Sequence, residues 1–396
     1  MAAPAPAAPL VRQLAPFAGL SASYFAHIGF FNPYLPLWLK HLGLPVVVIS
    51  LLVATQSVTR VFAPYAWGAL SDRTGERVRL LRLSALVALL ASLGLWVAGG
   101  PVWIGLVLLL MFTHTGSMMS LTEAAMAQLV AGDWGRYGRV RLWGSVGFMV
   151  TVFVAGAWFE RFGMGHFPGW TLFTLGLVLA CTWWLPDTRD APVVGSAAGA
   201  PILPVLRQPA VRWFFASLFF HVTAHFAVYG FISLYLDARG YSKAMIGVLW
   251  AVSVLVEILW FYWQGRLIKR FPMSRWLVIC GAATALRMAL IAGAADWLLA
   301  LFAAQVLHAL TFATHHTACI AMVTRHFPGR LRGRGQALFT VIGYGIGGVV
   351  GVLAGGQLVS RWGYVSMYAV ATVLGLLATA CALKVLRLEE RGAGVG

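Results

Sequence analysis

Four ionisable side chains interrupt otherwise apolar runs of this sequence: Arg60, Glu123, Glu257 and Arg287. A charge at the centre of a bilayer costs on the order of 3 kcal/mol on insertion scales. Such groups face a cavity and pair. The spacing suggests how. Glu123 and Arg141 lie nine residues either side of residue 132. A helix rises ~1.5 Å per residue, so the two share a depth across a hairpin. Arg287 lies ten residues before a turn at 297, and His308 eleven after it. They share a depth nearer the midplane. Each pair has a plain alternative, a structural bridge that fixes two helices, and Arg60 can be read the same way.

The chemistry open to these groups is proton and anion handling. Carboxylates in apolar surroundings hold a proton more tightly, and a neighbouring guanidinium loosens it. A group whose neighbours change with conformation can therefore take a proton on one side and release it on the other. Glu257 suits that role first and Glu123 second. His308 is third, because imidazole titrates near neutral pH unaided. His221 and His225, one turn apart, and the adjacent His315 and His316 invite a metal reading. No acid or cysteine completes a ligand set at suitable spacing, so no metal is expected and cavity lining or polar helix contacts are preferred. Cys181, Cys280, Cys319 and Cys381 fall in apolar stretches without a CxxC partner, as packing residues do. There is no GxSxG, HExxH or P-loop. No catalytic residue and no cofactor is expected.

The elements that must hold these groups follow from composition. Of 396 residues, 60% are apolar and 10% charged, against roughly 45–50% and 25% in soluble domains. That excludes a soluble enzyme, a disordered chain and a coiled coil. The net charge of +17 would suggest nucleic acid on a soluble protein. Here the basic residues sit in short loops, so a membrane is the expected partner and nucleic acid is not. Apolar runs fall near 15–38, 46–70, 80–98, 101–128, 142–160, 169–186, 211–236, 244–266, 276–294, 297–324, 336–360 and 364–386. Lipid offers the backbone no hydrogen bonds, so runs of this length must be helices. The expected fold is an all-α integral membrane protein with twelve transmembrane helices.

Lys and Arg divide 22 to 5 between alternate loops. The positive-inside rule then puts both termini and the long central loop in the cytoplasm. The N-terminal MAAPAPAAPL lacks the parts of a cleaved signal peptide, so the first run is expected to stay as a span. The domains expected are an N-terminal tail 1–14, a six-helix bundle 15–186, a Pro-, Ala- and Gly-rich linker 187–210, a second six-helix bundle 211–386 and a tail 387–396. At an offset of 197 residues the halves echo each other. Gly68–Arg73 falls on Gly265–Arg270, Arg60 on Glu257 and Tyr65 on Tyr262. Pseudo-symmetric repeats of this kind build many secondary transporters, with the site at the midplane. Gly343, Gly347, Gly351 and Gly355 recur every four residues, a flat ridge for close helix approach.

The segment Gly68-x-x-x-Asp72-Arg73-x-Gly75-x-Arg77-x-Arg79 resembles the signature between spans 2 and 3 of the major facilitator superfamily. Asp72 at a helix end can meet the positive N-terminus of a helix from the other half. Gly68, Asp72, Arg73 and Gly75 are then read as a gating motif. Tyr137-Gly138-x-x-Arg141-x-Trp143-Gly144-Ser145, Thr122-Glu123-Ala124, Gly240-Tyr241-Ser242, Glu257, Arg287 and Leu307-His308 resemble the phenylpropionate-permease type of proton symporter, related to lactose permease and nucleoside:proton symporters. The resemblance implies substrate binding by Glu123 and Arg141, and a proton-coupling group of Glu257, Arg287 and His308. The sequence departs from lactose permease at Thr311, where that protein has the proton-carrying carboxylate. Arg60 could hold an anion, and Tyr24 on aromatic-rich span 1 could line an aromatic pocket. The expectation is a monomeric symporter of a bacterial inner membrane, importing a small organic solute with protons by alternating access. An aromatic or other organic acid is the solute favoured; a sugar or nucleoside, or export of amphipathic compounds, are the alternatives.

If Glu123 and Arg141 hold substrate together, either change to Ala leaves its partner unpaired in low dielectric. Equilibrium binding should be abolished in both. Retained binding in Glu123→Ala reduces the pair to a structural bridge.

Overall fold

The computed structural model describes the backbone of residues 10–130, 134–186 and 201–393. The expected linker and tails lie partly outside these residues. Long apolar helices account for almost all of the rest. Spans 1 to 6 are Leu10–His41, Val46–Thr74, Arg77–Ser92 with a 3-10 turn to Trp96, Gly100–Val130, Trp134–Phe162 and Phe167–Trp184. After a short helix Leu203–Arg207, spans 7 to 10 are Pro209–Ala238, Lys243–Leu267, Met273–Gly293 and Leu298–His326. The last helical stretch, Arg332–Arg391, has 60 residues, twice what a bilayer needs. It breaks at Gly363, whose φ of 80° only glycine adopts cheaply, into span 11 (332–362) and span 12 (364–393). Twelve crossings result, and no strand occurs among the described residues.

The helix ends explain two sequence motifs. Gly75 takes a φ of 66° and its N–H bonds to Ser71 O at 2.8 Å, so this glycine of the signature is the stop of span 2. The echoing copy ends differently, in a 3-10 turn Ile268–Arg270. In Gly240-Tyr241-Ser242, the glycine again has positive φ and Tyr241 Oη donates to Ala295 O at 2.8 Å. The Ser242 hydroxyl accepts the Met245 N–H as the N-cap of span 8.

Contacts divide the chain into two compact units. One takes Met1–Phe31, Phe62–Val152 and His166–Val194; the other takes Asn32–Val61, Phe153–Gly165 and Gly195–Gly396. Spans 1, 2 and 5 therefore contribute to both. In the first unit, span 5 lies on span 1 through glycines. A Cβ at Gly147 would collide with Ala22 O, and one at Gly29 would sit 2.7 Å from Phe148 Cα.

In the second unit, the ridge read from the sequence packs on span 7. Cβ atoms at Gly343, Gly347 and Gly351 would meet Leu218, Thr223 and Phe226, and at Gly355 one would meet Phe231. Span 11 has a second glycine face that the four-residue repeat does not reveal. Gly345, Gly348 and Gly356 meet Val61, Ser57 and Ser50 of span 2. Spans 9 and 12 interlock likewise, Gly281 against Thr379 and Gly375 against Ala285.

At Gly351 an added Cβ would lie 2.7 Å from Thr223 O, which is backbone and cannot swing away. Gly351→Ala should therefore cost about 1–3 kcal/mol and lower the thermal unfolding midpoint in detergent by several degrees. Gly176→Ala, which meets nothing within 4 Å among the described residues, should leave it unchanged. Equal midpoints for the two variants would show that the ridge is not tightly packed.

Candidate functional site

Arg287 is the largest fully buried side chain, 1% exposed. Its NH1 donates to His308 Nδ1 at 3.1 Å and to Thr311 Oγ1 at 3.0 Å; its NH2 donates to Gln305 Oε1 at 3.0 Å. These partners are all uncharged. Compensation comes at one remove, because His308 Nε2 lies 3.4 Å from Glu257 Oε2. The donor rules fix the tautomer. Guanidinium can only donate, so His308 Nδ1 accepts and Nε2 carries the proton. His308 thus donates to the Glu257 carboxylate, a chain Arg287–His308–Glu257. A second proton on His308 would point at the Arg287 N–H. In this arrangement His308 cannot load a proton without breaking from Arg287.

The backbone around this chain is irregular. Span 10 runs as a π-helix over Ala309–Thr314, directly after His308, and span 11 over Thr340–Gly347. Such bulges shift the hydrogen-bond register and recur at functional sites. On span 10 the Thr311 carbonyl receives His221 Nε2 at 2.8 Å, while Thr284 Oγ1 stands 3.4 Å from His221 Nδ1. With both ring nitrogens engaged, and its ring stacked on His315 at 3.4 Å, His221 is a satisfied polar helix contact. On span 11 the bulge carries Tyr344, over which Arg60 sits at 5.9 Å. Tyr229 lies within electrostatic reach of Glu257, Arg287, Arg60 and Tyr344, so these groups border one region. Tyr229 also stacks on Trp250, 6.1 Å between ring centres.

The first unit holds a separate group. Arg141 lies 4.2 Å over the Phe25 ring, and Tyr24 packs edge-on to Phe25 while its hydroxyl donates to Thr115 O at 3.1 Å. A Cβ at Gly144 would strike Phe25, so this glycine of the Trp143-Gly144-Ser145 segment makes room for the stacked pair. Glu123 belongs to span 4, but its side chain lies outside the described residues. Asp72 is 59% exposed and pairs loosely with Arg77 at 3.8 Å. Arg73 is exposed, and a Cβ at Gly68 would meet nothing within 4 Å among the described residues.

A further polar cluster lies at the arginine-poor ends of the spans, within the second unit. Glu160, near the end of span 5, accepts the Lys243 N–H at 2.7 Å, the first residue of span 8. The helix dipole favours an anion there. Tyr34 Oη donates to Lys243 O at 3.1 Å, and Lys40 Nζ meets Asp237 Oδ2 at 2.7 Å. These contacts join residues about 80 to 210 positions apart in sequence, far beyond the spacing at which neighbours on one helix interact. No local pattern announces them.

Relatives agree with this architecture. The chain is 28% identical over 334 residues to a probable 3-phenylpropionic acid transporter of Escherichia coli (strain K12), covering 82% of this chain and 85% of that one. It is 25% identical over 361 residues to a maltose permease of Geobacillus stearothermophilus, covering 87% of each. Among solved structures, a mutant of the nucleoside transporter NupG superimposes with a TM-score of 0.81 at 15% identity, over 95% of this chain and 99% of that one. A POT family transporter in complex with a thioalcohol-conjugated peptide gives 0.76 at 11% identity, over 96% of each. These relatives and structural neighbours are transporters, not enzymes. The MFS_1 like family matches residues 20–385, so the chain belongs to that family of major facilitator secondary transporters.

Proposed function

We propose that this protein is a proton-coupled symporter that imports a small organic acid, with an aromatic acid the favoured solute. The observation that carries this reading is the buried chain Arg287–His308–Glu257. While Glu257 is ionised, its charge balances Arg287 through the shared imidazole. Protonation removes that balance and leaves a buried guanidinium among neutral partners, which draws an anion. One proton and one carboxylate then enter together, and neither is stable there alone. The 28% relative named for 3-phenylpropionic acid supports the acid. The maltose permease supports a second reading, a neutral sugar. The rings of Tyr229 and Trp250 beside the chain favour the aromatic solute.

The six-plus-six division of the chain, both termini in the cytoplasm and a place in a bacterial inner membrane belong to the same proposal. So does alternating access. In it, Glu160 of span 5, bound to the start of span 8, and the Lys40–Asp237 pair close the arginine-poor ends, and Asp72, loosely held here, closes the opposite ends in the other conformation. Glu123, Arg141 and Tyr24 would border the pathway in the first half, Arg60 beside Tyr344 in the second.

Two outcomes test this. Glu257→Gln fixes the group as neutral. Uphill accumulation driven by a pH gradient should vanish, while exchange of internal for external solute, which needs no net proton movement, should survive. Accumulation that persists in Glu257→Gln and fails in Glu123→Gln would move the proton site to the first half. Removing the anion from the start of span 8 should cost about 1 kcal/mol, or about fivefold in the closed-state equilibrium. Glu160→Ala should then speed maleimide labelling of a cysteine placed at the buried Ile246 by about that factor. An unchanged rate would deny Glu160 a closing role.

A further inference from the structure

Span 7 carries two histidines one turn apart, and the fold treats them oppositely. His221 has both ring nitrogens engaged. His225 is 3% exposed, and neither Nδ1 nor Nε2 has a partner among the described residues. Buried imidazole nitrogens are almost always paired. A third orphan is the Nε of Arg287, whose guanidinium lies within electrostatic reach of His225. The His225 ring is 4.7 Å from Tyr229, 5.7 Å from His308 and 6.3 Å from Phe312. Guanidinium Nε–H is a donor, and a neutral imidazole always offers one N–H. Two buried donors from separate helices, unpaired among the described residues and one of them on a cation, suit a carboxylate, and aromatic rings border His225. A metal suits it poorly, because Arg287 repels cations and no third ligand is grouped there among the described residues.

We propose that His225 is a substrate-contacting residue, which with Arg287 Nε takes the carboxylate of an aromatic acid in the second half of the protein. This rests on the organic-acid reading above and names its site. In the conformation described, the three nitrogens are shut off from solvent. The carboxylate reaches them when the rings of Tyr229 and Phe312 swing aside. His225 then distinguishes an acid from its uncharged analogue, and Glu257 sets whether the acid is accepted at all.

The test is equilibrium binding of 3-phenylpropionate and 3-phenylpropionamide to purified protein in nanodiscs. Wild type should prefer the acid. His225→Phe keeps the ring and removes both nitrogens. It should weaken the acid by about tenfold or more, the usual worth of a charged hydrogen bond, and leave the amide unchanged. His225→Gln, which keeps a donor and an acceptor, should restore most of the preference. If His225→Phe is not monodisperse, His225→Leu takes its place. Acid binding in wild type with an unchanged acid-to-amide ratio in these variants overturns the assignment of His225 and leaves the organic-acid reading standing. Wild type that binds maltose or a nucleoside, but neither phenylpropionate nor any other aromatic acid, overturns both.

Discussion

Everything in the second half of this protein is arranged around one expense, a guanidinium with 1% exposure. A single-partner ion pair would have met it most simply, but would also have locked it. Instead the charge is shared across His308, which accepts from Arg287 on one nitrogen and donates to Glu257 from the other. An imidazole between base and acid transmits compensation only while both hydrogen bonds hold. The balance of the buried charge therefore depends on the protonation of a carboxylate two groups away. That dependence is what the proposed coupling to protons rests on. Thr311 serves Arg287 through its hydroxyl and His221 through its carbonyl.

The carbonyl is available because the helix is irregular there. In an α-helix each carbonyl is committed four residues on, and a histidine from another span could not claim it without competing. The π stretch Ala309–Thr314 changes that register, with Thr314 Oγ1 reaching back to Ala309 O at 2.9 Å. Span 11 makes the same accommodation beside Tyr344. Both bulges fall where the polar groups gather, so the departures from regular helix and the placement of the site are one feature seen twice.

Much of this architecture is legible in the residues alone. The count of spans follows from hydropathy, and counting outward from residue 297 is enough to bring Arg287 to His308. The span 11 ridge follows from a four-residue glycine period, because contact along one helix face is a local property of sequence. What cannot be read that way is set by register or by distance. The π bulges displace side chains by about one position, and nothing in Ala309–Thr314 marks them. His221 and His225 look alike at i and i+4, and their fates diverge only because a freed carbonyl meets one of them. Glu160, the last residue of the apolar run 142–160, is not singled out by the sequence, because its partner at the start of span 8 lies 83 positions away. The signature motif points to Asp72 as the acid at a helix N-terminus. The structure shows that device at Glu160, with Asp72 turned to Arg77.

Span 11 shows how close helix approach is built from glycine. Its glycines at 347 and 351 press on backbone carbonyls of span 7, Phe219 O and Thr223 O. The glycines at 345, 348 and 356 meet side-chain tips of span 2 instead: Val61, Ser57 and Ser50. Gly356 also reaches a span 2 backbone carbonyl, Val46 O, at 3.5 Å, the distance at which Gly347 meets Phe219 O. Lipid offers little hydrophobic drive for helix association, so close packing and polar contacts between helices carry much of it. One helix thus packs by glycine against span 7 on one face and against span 2 on another. Its π bulge, between the two, carries the tyrosine that lies under Arg60.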